Sequence, residues 1–240
     1  MKQENWYDVD TARGGDFSLS NAFPILMRKV FVWMTLALAI TGITAYGVAS
    51  SPALVGMIFS SKVTFWGLII AEFGLVMAIS GAINRLSLAT ATLLFILYSV
   101  VNGATLSVIF LAYSTTVIAK TFFITAGTFG AMALVGYTTK TDLTSIGKLL
   151  FMALIGIIIA SVVNIFVGSS GLDLIISYVG VLVFVGLTAY DTQKIKEMCR
   201  MAPDAGESMQ KLALLGSLSL YLDFVNLFLY LLRIFGNNKD

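Results

Sequence analysis

Two aspartates near the C-terminal end, Asp191 in GLTAYDTQKIK and Asp223 in LSLYLDFVNLF, lie in runs whose other residues are mostly apolar. An ionisable group in hydrocarbon costs about 2.5–3.5 kcal/mol on insertion scales, so it marks function or a buried pairing. Asp223 follows Lys211 by 12 residues and precedes Arg233 by 10. Along a helix those separations are ~18 Å and ~15 Å, which places the carboxylate deep in a bilayer. Gly216, Ser219, Asp223, Asn226, Tyr230 and Arg233 recur at steps of three and four and therefore share one helical face. Such a face points into protein or water, with Asn226 a candidate for lining an ion pathway. The alternative is a polar seam that only fixes helix register.

Asp191 sits where its run turns polar, and a carboxylate at a helix end near water needs no special role. The two aspartates reach one depth only if that helix continues to about Met198, which QKIKEM permits. Were they to approach within ~4 Å, their repulsion at an effective dielectric of ~20 would be about 4 kcal/mol. The pair would then share a proton and titrate jointly near neutrality. With no histidine in the chain, only such a carboxylate arrangement supplies a neutral-pH sensor. Arg85, in a short turn on the same side, is within reach of either acid. Glu72, in the middle of IIAEFGLVM, is read either as a cation-pathway carboxylate or as a protonated acid bonded to a neighbour. Asn102, Asn164 and Tyr98 are read as helix bridges.

The elements that must position these groups are apolar helices. The chain has 240 residues, 58% hydrophobic and 12% charged, where a soluble domain carries about 25% charge; the missing polar cover implies a lipid-facing surface. Apolar runs at Val30–Ser50, Val63–Ile83, Leu88–Ala112, Thr121–Tyr137, Ile146–Val167, Tyr178–Met198 and Leu212–Phe235 each approach the ~20 residues that cross a bilayer. No alternating strand pattern appears. The expectation is an all-α protein: one domain of seven transmembrane helices over 30–236, preceded by a mobile cytoplasmic tail over 1–29. The first run is too long, and its leader too acidic, for a cleaved signal peptide.

Absence of histidine removes HExxH zinc sites and Ser-His dyads, and the single Cys199 forbids an internal disulfide. A net charge of +2 without basic clusters gives no argument for nucleic acid, and no cofactor is called for. With the N-terminus inside, and leaving out the distant Lys2 and Arg13, the inner segments hold nine Lys and Arg (Arg28, Lys29, Arg85, Lys140, Lys148, Lys194, Lys196, Arg200, Lys211) and the outer ones four (Lys62, Lys120, Arg233, Lys239). The positive-inside rule therefore puts the N-terminus in the cytoplasm and the C-terminus outside.

The segments GLTAYDTQKIK (Gly186–Lys196) and LSLYLDFVNLFLYLLRIFG (Leu218–Gly236) resemble the two C-terminal signatures of the Bax inhibitor-1 family, the transmembrane Bax inhibitor motif proteins. FMALIGIIIASVVNIF (Phe151–Phe166) and GYTTKTDLT (Gly136–Thr144) are similar to its bacterial branch. The resemblance implies seven helices with the C-terminal one central, wrapped by the other six. It further implies a pH-sensitive calcium leak channel of the bacterial inner membrane. Asp191 and Asp223 would be its paired-aspartate sensor, Arg85 in the looser match INRLSLAT its latch, and Glu72 its second-helix glutamate.

Three functions compete at this stage. A cation leak gated by the aspartates suits hard ions such as Ca²⁺, which take oxygen ligands; Asp191 and Asp223 would hold Ca²⁺ only in transit, two carboxylates being too few for a cage. A non-transporting regulator, binding membrane-protein partners in quality control or stress, is the alternative. An intramembrane aspartyl protease also uses two membrane carboxylates as acid and base. It fits less well, because Asp223 follows LYL without flanking glycines and the only prolines are Pro24, Pro52 and Pro203. No residue is assigned as catalytic. A retinal protein is not indicated, as the last helix lacks an interior lysine.

Overall fold

A computed structural model describes the backbone of residues 6–236 and the side chains of residues 22–236. Nine helices occur among the described residues: α1 (Trp6–Ala49), α2 (Pro52–Phe59), α3 (Lys62–Ala82), α4 (Leu88–Leu106), α5 (Val108–Ala112), α6 (Thr115–Thr138), α7 (Thr144–Val167), α8 (Ser170–Arg200) and α9 (Glu207–Gly236). Seven spans are long and apolar enough to cross a membrane, α4 and α5 together forming the third.

Serine starts most of these helices. Ser51, Ser61, Ser87, Ser114 and Ser169 are N-caps whose hydroxyls accept the backbone N–H three residues on. This satisfies a donor that has no partner inside the helix. Pro52 adds the fixed φ that suits a first helical position. Together Ser51 and Pro52 open a short helix that the hydropathy pattern does not single out. Ser107 interrupts the third span, separating α4 from α5 by one residue.

The last helix is the core of the bundle. Within its apolar window 67% of the residues are buried, against 6% for α3 and for α7. It packs on α1, α4, α6 and α8, while α3 packs chiefly on α4 and α7 chiefly on α8. The expected wrapping by six helices is therefore four in direct contact and two standing outside them. Close helix approach depends on small residues. At Gly136 of α6 a Cβ would stand 2.8 Å from the backbone carbonyl carbon of Ala189 in α8, so only glycine allows this crossing.

Four spans reach at least a helical turn further toward the N-terminus than the sequence reading gave them: the fourth opens at Thr115 rather than Thr121 and the seventh at Glu207 rather than Leu212. The described part of the first reaches back to Ala22 rather than Val30, and Ala22, Leu26 and Met27 are buried in the bundle. Of the expected tail, residues 1–5 lie outside the described residues and the backbone from Trp6 onward is helical. The sixth span opens at Ser170 rather than Tyr178: Gly168, at φ 66°, ends α7 and Ser169 caps α8 at once. At its other end α8 runs on to Arg200, which meets the condition for Asp191 to lie within a helix.

Candidate functional site

On one side of α9 the helices part around a cavity of about 1110 Å³. Its wall includes Glu72 of α3, Tyr98 and Asn102 of α4, Lys148 of α7, Asp191 and Lys194 of α8, and Ser219, Asp223, Asn226 and Tyr230 of α9. The polar face read from the period of the last helix is thus the face that α9 turns to the cavity, apart from its ends. Gly216 packs on Ile195, and Arg233 pairs with Asp173 of α8 at 3.3 Å.

The register of α8 against α9 fixes the relative depth of the aspartates. Gly216 lies against Ile195, and Gly180 lies against the ring of Tyr230. In these antiparallel helices Asp191 is level with about residue 220, so Asp223 lies about 4–5 Å, one turn less a residue, further from the Lys211 end. Asp191 is the charged neighbour whose field reaches Asp223. Asp223 is only 5% exposed, and its Oδ2 is buried without a hydrogen-bond partner among the described residues. Asp191 is partly exposed, and the Lys194 charge acts on it. The structure therefore brings the two predicted acids to one wall.

Glu72 reaches the same level by a different route. Asn102 donates from Nδ2 to Glu72 Oε2 at 3.2 Å, and its Oδ1 accepts the Tyr221 phenol at 2.9 Å. Tyr221 precedes Asp223 by two residues, so Glu72 is tied to the depth of Asp223. The Tyr221 oxygen also lies 2.7 Å from Thr41 Oγ1 of α1, which is 3.0 Å from the Ser99 carbonyl. Tyr221 has one proton, engaged by Asn102, so Thr41 donates either to Tyr221 or to Ser99. The second oxygen of Glu72, Oε1, is buried without a partner among the described residues. This network joins α1, α3, α4 and α9.

Not every candidate is drawn in. Arg85 is exposed in the turn between α3 and α4, and forms no ion pair with either aspartate. Asn226 lines the cavity but donates to the Leu222 carbonyl of its own helix at 2.8 Å. Asn102 and Tyr98 do bridge, Tyr98 by an edge-to-face contact with Tyr221 at 5.6 Å. Asn164 instead accepts the Ser169 backbone N–H at 3.1 Å and secures the turn into α8. Tyr221, Thr41, Lys148 and Lys194 belong to the site or its support without standing out in the sequence. Tyr221 is separated from Asn102 by 119 residues and from Thr41 by 180, so no local spacing signals the contact.

On the α6–α7 side the α8 stretch beyond Asp191 is clamped. Gln193 accepts the Leu143 N–H and donates to the Thr141 carbonyl, each at 2.8 Å. Lys196, 8% exposed, donates to the Tyr137 carbonyl at 3.0 Å. Among the described residues no group of three His, Cys, Asp or Glu side chains is placed to hold a metal ion. The carboxylates are strung along the cavity wall and are not gathered into a cage.

The family model described as "Inhibitor of apoptosis-promoting Bax1" matches residues 24–240. The chain belongs to the Bax inhibitor-1 family. Among Bax inhibitor-1 relatives it is similar to "Inner membrane protein YbhL" of Escherichia coli strain K12, at 51% identity over 89% of this chain and 92% of the relative. A Borreliella burgdorferi protein is 50% identical, again over 89% and 92%. A membrane protein of Streptococcus pyogenes serotype M6 is 40% identical over 77% of this chain and 80% of its own. The match spans all seven helices of the bundle, so this Bax inhibitor-1 chain carries both aspartates within the family's shared region.

Proposed function

We propose that this Bax inhibitor-1 protein is a cation leak pathway of the inner membrane, calcium being the favoured ion, whose passage depends on protonation of Asp191 and Asp223. The N-terminus faces the cytoplasm in this reading, as the distribution of Lys and Arg favours. YbhL is itself named an inner membrane protein. The observation that carries the proposal is the placing of three carboxylates, Glu72, Asp191 and Asp223, on the wall of one cavity inside the bundle, with Glu72 Oε1 and Asp223 Oδ2 buried and unpartnered. A buried carboxylate oxygen without a donor costs free energy until a proton, a cation or water meets it. Ionised, the acids attract a hard cation that prefers oxygen ligands. Protonated, they lose that charge, so passage falls as the pH falls.

The test is Ca²⁺ flux into liposomes holding the purified chain. Flux above that of protein-free vesicles, reduced by Glu72→Gln and by Asp223→Asn, is the expected outcome. Flux equal to empty vesicles for the wild type would leave the cavity without this role.

A further inference from the structure

The cavity has an opening that an ion does not need. Its wall is drawn from α3, α4, α7, α8 and α9, and its outer rim includes Phe73, Phe151, Met152 and Ile158, each more than half exposed. Phe73 is near the middle of α3, and Met152 and Ile158 lie within α7. In a bilayer these exposed apolar rims face hydrocarbon at mid-depth, not water. Because α3 packs chiefly on α4 and α7 chiefly on α8, the two outer helices do not close the front of the cavity.

The interior does not suit a plain acyl chain. Behind the apolar rim stand Glu72, Asp191 and Asp223, and aromatic rings of Tyr98, Phe184, Tyr190 and Tyr230. Two of those rings already present a face to a cation: Lys194 lies 5.9 Å from the centre of Tyr190, and Arg233 lies 5.7 Å from that of Tyr230. Lys148 and Lys194 also line the cavity, but both are exposed, whereas Asp223 is buried with Oδ2 unpartnered. Aromatic faces combined with carboxylates are the chemistry that recognises organic ammonium and phosphonium ions. At about 1110 Å³ the space lies just above the ~300–1,000 Å³ typical of small-molecule pockets, room enough for a bulky organic ion.

We infer that the cavity is a binding site for lipophilic organic cations, which enter sideways from the bilayer between α3 and α7 and set their charge against Asp223 and Glu72. The site stands whether or not calcium passes through the same space, so a binding measurement separates the two ideas. The probe is tetraphenylphosphonium, whose charge is permanent. Its equilibrium binding is measured to wild-type chain in nanodiscs of zwitterionic phosphatidylcholine, with empty nanodiscs as the baseline. Saturable binding of one cation per chain is expected, at least tenfold weaker in Asp223→Asn and in Glu72→Gln, and not displaced by the neutral isostere tetraphenylmethane. A third variant leaves the interior intact: Met152→Cys should bind as wild type until a bulky maleimide on that exposed rim position weakens binding at least tenfold. Binding no greater than to empty nanodiscs overturns the inference. So does binding unchanged by both carboxylate variants, or by the rim adduct.

Discussion

Asp223 of α9 lies within a helical turn of the level of Asp191 on α8, both on the wall of one cavity. Their offset follows from Gly216 seated on Ile195 and Gly180 under the Tyr230 ring. The glycines thus set the register of the two acids. The continuation of α8 to Arg200 keeps Asp191 inside a helix rather than at a frayed end.

Tyr221 is expected to hold the bundle together as well as support Glu72. Tyr221→Phe leaves Asn102 Oδ1 and Thr41 Oγ1 short of a buried partner, at a cost of about 1–3 kcal/mol. Unfolding in mixed detergent micelles measures it. Thr41→Val should cost less in the Tyr221→Phe background than alone where Thr41 donates to Tyr221, and the same in both where it donates to Ser99. Equal stability of Tyr221→Phe and wild type would mean that the hydrogen bonds contribute nothing net.

The α6–α8 crossing gives a steric prediction. Gly136→Ala forces a methyl onto the Ala189 backbone, its carbonyl oxygen included, and no side-chain rotation relieves that clash. A loss of about 1–3 kcal/mol follows from overpacking. Gly127→Ala in the same helix meets nothing within 4 Å and should be neutral or stabilising by about 0.5–1 kcal/mol. The pair of melting curves checks both; similar shifts for the two variants would contradict the close approach.

Asp142, in the turn before α7, supplies a pH prediction outside the membrane. The Thr144 hydroxyl and its backbone N–H, the latter at 2.8 Å, hold the Asp142 carboxyl below the ordinary carboxylate range. A carboxyl lowered on folding stabilises the fold above its unfolded value of about 3.9. That contribution is lost as pH falls through the lower folded value. Asp142→Asn should therefore lower the melting temperature slightly at pH 7, and the difference should shrink in acid below about pH 4. A constant difference across the range would show that ionisation is not involved.

Much of the architecture is legible in the sequence because its signals are local. Spans follow from runs of apolar residues, and the cavity-facing stripe of α9 from steps of three and four. The sixth span reads short because Leu172–Ser177 carries no mark of its own; the mark is Gly168 and Ser169 just before it. What local pattern cannot carry is which helices meet. Glu72 is joined to the level of Asp223 only through Asn102 and Tyr221, partners far apart along the chain. Arg85 shows the converse. Proximity in a schematic of spans puts it within reach of the aspartates, while the folded turn leaves it exposed and unpaired with them. The side opening between α3 and α7 is invisible for the same reason, being a property of packing and not of composition.

The most direct test of the central claim is the pH profile of Ca²⁺ flux from pH 5 to pH 8 in liposomes, for wild type and Asp223→Asn side by side. The wild type should conduct increasingly as pH rises and the paired acids ionise, while Asp223→Asn should carry a low flux with little pH dependence. A wild-type profile that Asp223→Asn reproduces unchanged would contradict control of passage by protonation of this pair.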